Sequence, residues 1–113
     1  MEQPDLFLLK RTGSGTTLTE LVNTGGTVRC NNRKTEQMPD KLLLSARTLT
    51  GALDRDARHH LDIPSDPGSV YRYRVKLQGG TITFPDTAAR THPELARLEL
   101  IALGIAAGPC RGA

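Results

Sequence analysis

The chain has 113 residues, 37% apolar and 4% aromatic, with fifteen Lys and Arg against twelve Asp and Glu and a formal charge of +3. That length allows one core and is too short for two, so residues 1–113 are read as a single compact α+β domain. There is no run of about 20 apolar residues to span a bilayer as a helix, and so modest a basic excess permits an acidic partner without making the chain a polycation.

In chain order, residues 1–9 carry acidic groups where a secretory signal is positive, and their apolar run, Leu6 to Leu9, stops after four residues. No export signal is expected there. A complete chain would then be cytoplasmic, and a secreted one would have lost a leader. Residues 5–11 predict a strand ended by the turn-prone Thr12-Gly13-Ser14-Gly15, and residues 16–22 its antiparallel partner, with Leu18 and Val22 on one face and Thr17, Thr19 and Leu21 on the other. After the turn cluster at residues 23–26, residues 27–30 add a third strand, and the polar residues 31–38 predict a loop.

A helix is expected from Pro39 and Asp40, with Asp40 as its cap, because Leu42, Ala46, Leu49, Leu53 and Ala57 recur at steps of four and three and form one stripe. Gly51 weakens its middle and predicts a kink or a close approach there. The helix ends near His60 or Leu61, since Pro64, Pro67 and Gly68 interrupt helical geometry.

Residues 69–86 predict a second hairpin with chemically sorted faces. Tyr71, Tyr73, Val75 and Leu77 point to the core, while Val70, Arg72, Arg74 and Lys76 point to water. A turn at Gly79-Gly80 would place Leu77 opposite Ile82, Val75 opposite Phe84 and Arg72 opposite Asp86. Thr91-His92-Pro93-Glu94 has capping-box spacing. A second helix should follow, buried through Leu95, Leu98, Ile101, Ala102 and Ile105 and stopped by Gly108-Pro109. The expected fold is therefore α+β, an antiparallel sheet of four to five strands with two helices on one face, in the order βββ-α-ββ-α.

Residues that suggest chemistry do not assemble into a catalytic motif. His59 and His60 are adjacent and diverge by about 100° on a helix, so they cannot jointly ligate a metal; His92 is read as a first-turn residue. Ser14 lacks the longer pattern of a nucleophile or phosphate loop and reads as a turn. Asp54, Asp56 and Asp62 lack calcium-loop spacing. No metal, no cofactor and no enzymatic activity are expected. Arg72, Arg74 and Lys76 form a basic stripe with steps of about 7 Å; it is either a solvated face partly neutralised by Asp86 or a surface for nucleic acid. Cys30 and Cys110 admit one bridge or two free thiols, and a bridge closing a loop of about 80 residues is worth about 4 kcal/mol in the chain-entropy view.

Leu8-Leu9-Lys10-Arg11-Thr12-Gly13-Ser14-Gly15 resembles the opening strand and glycine-rich turn of the emfourin-like family of small bacterial proteins. Tyr71-x-Tyr73-x-Val75, Gly79-Gly80, Phe84-x-Asp86 and Leu95-x-x-Leu98 are similar to that family's closing hairpin and last apolar segment. The resemblance implies a proteinaceous inhibitor of thermolysin-like metalloproteases or a protein derived from one, with a protein as its partner; the chain itself is expected to be a monomer or weak dimer. The expected contact is the first hairpin loop, Thr12, Gly13, Ser14, Gly15, Thr16, Thr17 and Leu18, with the threonines and Leu18 supplying most side-chain contacts. The alternative expectation is nucleic-acid binding through Arg72, Arg74 and Lys76.

Overall fold

Residues 5–111 are described by the structure, a computed structural model; the first four residues of the segment read for a leader lie outside them. The elements are β1 (Asp5–Gly13), β2 (Thr16–Asn23), β3 (Thr27–Cys30), β4 (Glu36–Gln37), α1 (Asp40–Arg58), β5 (Tyr71–Leu77), β6 (Gly80–Pro85), a short 3-10 helix (Asp86–Arg90) and α2 (Pro93–Ala107). Six strands form one antiparallel sheet in the order β4-β3-β2-β1-β5-β6. The fold is α+β with two helices, as the alternation and the two helical stripes predict, and the element order is ββββ-α-ββ-α.

The additional strand is β4, which pairs Glu36 with Val28 and Gln37 with Thr27. Its two polar residues carry no alternation to read, and it is held by backbone pairing and by Gln37 Nε2 donating to the Gly26 carbonyl at 3.0 Å. At the other edge, Ile63 N donates to the Thr83 carbonyl and Thr83 N to the Leu61 carbonyl, both at 2.9 Å, so residues 61–63 cover β6. A very short strand at one edge and a covered strand at the other leave little exposed ladder for edge-to-edge pairing.

One sheet face is core. Phe7, Leu9, Leu18, Val22, Val28, Tyr73, Val75, Ile82 and Phe84 are buried on it beneath the helical stripes Ala46, Leu49, Leu53 and Ala57 of α1 and Leu95, Leu98, Ile101, Ala102 and Ile105 of α2. Tyr73 and Phe84 are cross-strand partners whose rings stack with centroids 5.1 Å apart. Arg74 and Lys76 are exposed on the opposite face, as their parity in the strand requires.

The second hairpin differs from its expected register. Its two-residue turn is Gln78-Gly79, with Leu77 opposite Gly80, Val75 opposite Ile82 and Arg72 opposite Pro85. Gly80 is drawn into β6 because the last turn of α1 lies directly above it: its φ is +150°, and a Cβ there would collide with the Ala57 carbonyl oxygen. Against the expected Leu77–Ile82 and Val75–Phe84 pairs the shift is by two residues, so every side chain keeps its face and apolar still meets apolar, while Arg72 lies one residue short of Asp86.

Both helix starts also differ from expectation. Pro39, at φ −58° and ψ 143°, occupies the N-cap of α1 and Asp40 its first turn, where a carboxylate still favours the helix dipole. The capping box of α2 is not formed. Thr91 instead closes the preceding 3-10 helix, its N–H donating to the Ala88 carbonyl at 3.1 Å, so His92 is the N-cap and Pro93 the first helical residue. α1 runs unbroken through Gly51, which is exposed with open space around it.

Candidate functional site

The first hairpin ends in a two-residue turn, Ser14-Gly15, between Gly13 and Thr16. Both turn residues have positive φ, +50° and +72°, the combination whose twist matches that of the flanking strands. Thr16 Oγ1 donates to the Gly13 carbonyl at 2.9 Å. Gly13 also pairs with Tyr71 of β5, at φ +147°, and a Cβ there would run into the Val70 carbonyl oxygen. The tip is thus gripped by β2 on one side and β5 on the other; Gly13 serves close packing, and Gly15, with open space around it, serves the positive φ of the turn.

Ser14, Gly15, Thr16 and Thr17 are exposed, with Thr12 and Gly13 half-buried behind them. Leu18 does not belong to this surface. It is 6% exposed and faces the helical layer beside Arg11, so the alternation that makes it a core residue removes it from any partner contact.

The bare sheet face carries Leu8, Lys10 and Thr12 from β1, Thr17, Thr19 and Leu21 from β2, Arg29 from β3, Arg72, Arg74 and Lys76 from β5, and Thr81 and Thr83 from β6. Lys10 lies directly opposite Arg74, and Thr12 opposite Arg72. Lys10, Thr12, Arg72, Arg74 and Thr83 border a shallow depression of about 280 Å³. Sequence reasoning missed Lys10, although its parity with Leu8 and Thr12 was the available signal.

Within the basic stripe, Arg72 is already engaged, but by Asp62 rather than Asp86. Its guanidinium donates to Asp62 Oδ1, the Ile63 carbonyl and Ser65 Oγ, each at 3.0 Å. Asp86 instead accepts from the Val70 N–H at 3.2 Å, because the register shift carries it past Arg72.

Beneath the sheet lies a polar group that the residue pattern did not flag. Glu20 shares the face of Leu18 and Val22, lies between Leu9 and Cys30 in the register, and is wholly buried, with neither carboxylate oxygen hydrogen-bonded. Burial pushes its carboxyl up to about 8, and the positive charge of Arg11 only partly opposes this. Arg11 stacks its guanidinium 4.6 Å from the Tyr71 ring centre. Nearby Glu99 is raised to about 7 by burial and by Asp86, and burial and Glu99 together push the Tyr73 phenol up. Glu20 is closed to solvent, so its protonation bears on folding rather than on a substrate.

Cys30 and Cys110 are joined in a disulfide with Cα atoms 5.8 Å apart, tying β3 to the segment after α2 across 80 residues of sequence. His59 caps the end of α1 and His60, at φ +51°, follows it; both are exposed. Among the described residues no three His, Cys, Asp or Glu side chains gather where they could hold a metal ion, and no helix is long and apolar enough to cross a membrane. No family model, curated protein or solved structure matches the chain.

Proposed function

We propose that the chain is a non-enzymatic protein-binding module, and more narrowly an inhibitor of thermolysin-like metalloproteases that presents the tip of its first hairpin to the partner. The observation that carries this reading is the pre-ordered tip: a two-residue turn with both residues left-handed, closed by Thr16 Oγ1 on the Gly13 carbonyl and gripped by β5 through Gly13. A loop already held in one shape loses little conformational entropy on docking, so more of its contact energy is expressed as affinity. The resemblance of residues 8–15 and of the closing hairpin to the emfourin-like family supports the choice of a protease as the partner. The contacting groups are Ser14, Thr16 and Thr17 and the backbone of Gly15. The Cys30–Cys110 bridge supports action in an oxidising compartment.

The experiment is a proteolysis assay with a thermolysin-like metalloprotease at stoichiometric concentrations. The intact protein should abolish cleavage of a peptide substrate. A Thr17→Asp variant, whose substitution lies on an exposed position and keeps the Thr16–Gly13 closure, should leave the urea midpoint little changed and restore cleavage. Undiminished proteolysis in the presence of the intact protein overturns the reading.

A further inference from the structure

The bare sheet face has an arrangement that folding alone disfavours. Side chains directly opposite one another in adjacent antiparallel strands have Cβ atoms about 5 Å apart, and like charges at such a pair are destabilising. Lys10 and Arg74 occupy one of these pairs, and Lys76 follows two residues along β5. None of these three makes an ion pair or hydrogen bond among the described residues; the carboxylate of Asp5, at the Lys76 end of this face, accepts instead from Asn23 Nδ2 at 3.4 Å. Arg72 lies at the end of the row, its guanidinium fixed by Asp62, Ser65 and the Ile63 carbonyl. Hydroxyls of Thr12 and Thr83 border the same depression.

We propose that this face binds the phosphodiester backbone of a single-stranded nucleic acid, with Lys10, Arg74 and Lys76 as the principal contacts and Arg72 as a fixed flank. Along β5, same-face cations repeat about every 7 Å, comparable with the step between consecutive phosphates of an extended strand. A phosphate placed between Lys10 and Arg74 turns their mutual repulsion into two attractions, and threonine hydroxyls donate to its remaining oxygens.

The face lacks what other acidic partners would use. The most exposed leucines, Leu44, Leu100 and Leu103, lie on the helices across the sheet, so on this face the cations have Leu8 and the half-buried Leu21 beside them, a small apolar area to anchor in a membrane. Residues 8–13 of β1 and 72–76 of β5 are paired on both sides, leaving no ladder beside these cations for an acidic peptide to extend. Tyr71 and Tyr73 face the other side of the sheet, so bases find no stacking platform and binding is indifferent to sequence.

The test is fluorescence anisotropy with labelled oligothymidylate and oligouridylate of about 12 nucleotides. The intact protein should bind both with similar affinity, and log K should fall with log salt with a slope of about −2 to −3, as three or four phosphate contacts require. A Lys10→Gln, Arg74→Gln, Lys76→Gln variant should lose about tenfold or more in affinity while unfolding at an unchanged or higher urea concentration, since it removes a repulsive pair. An Arg47→Gln, Arg55→Gln, Arg97→Gln variant removes the same charge from the helical layer and should bind normally. Equal loss in both variants, absence of binding at low salt, or tighter binding to phosphatidylserine vesicles or polyglutamate than to the oligonucleotides overturns the assignment.

Discussion

Glu20 gives the sharpest link between this structure and a measurable property. The folded chain holds its carboxyl protonated up to about pH 8, whereas in the unfolded chain it ionises near 4.5. Unfolding therefore releases a proton throughout that interval, and stability falls as pH rises. The contribution of Glu20 is fully present below 4.5, declines by about 1.4 kcal/mol per unit, and is lost above about 8, on the order of 5 kcal/mol in all. Arg11, Tyr73, Glu99 and Asp86 share this region; Glu99 adds a slope of the same sign that ends near 7. Glu20→Gln keeps the shape and removes the ionisation. Urea unfolding followed by far-ultraviolet circular dichroism across this pH range should show the wild type steadily weakening and the variant much flatter, with the variant the more stable of the two above pH 8. Parallel profiles, or a wild type that strengthens with pH over this window, would refute the account of a buried, uncompensated carboxyl.

Two further predictions concern covalent and backbone terms. Reducing the Cys30–Cys110 bridge should lower unfolding free energy by about 4 kcal/mol, measured as the urea midpoint with and without reductant; an unchanged midpoint would show that the loop it closes is already constrained. Gly51→Ala should stabilise by about 1 kcal/mol, since the site is helical, exposed and open, whereas Gly13→Ala should destabilise by more than about 2 kcal/mol because φ is +147° and the Val70 carbonyl fills the space. Thermal or urea unfolding of the two variants checks both signs, and a stable Gly13→Ala protein contradicts the described packing of the tip.

The architecture was legible because both periodicities are strong in this chain. Every residue named for the α2 stripe is buried, and the two faces of β5 sort as alternation requires. The exact pairing in the second hairpin was not legible, because the choice of turn glycine is made by α1: only tertiary contact with Ala57 assigns Gly80 to the strand. β4 was hidden because two polar residues carry no period, and the capping box was overridden because Thr91 already closes the 3-10 helix. On the candidate surfaces, the tip residues 14–17 are exposed as read, and Leu18 is excluded by the same parity that made it core. Lys10, Arg11 and Glu20 could all have been assigned to faces from their strand positions. What the sequence could not show is which of them would meet across strands, since the β1–β5 pairing joins segments about sixty residues apart in the chain.

The most direct test of the central claim, that the rigid hairpin tip is the partner-binding element, is an amide NMR titration of the isotopically labelled protein with a thermolysin-like metalloprotease. Shifts or line broadening concentrated in residues 12–17, with the α1 and α2 amides the least affected, are the result the account predicts. An unperturbed tip, with changes confined to the helical layer, would contradict it.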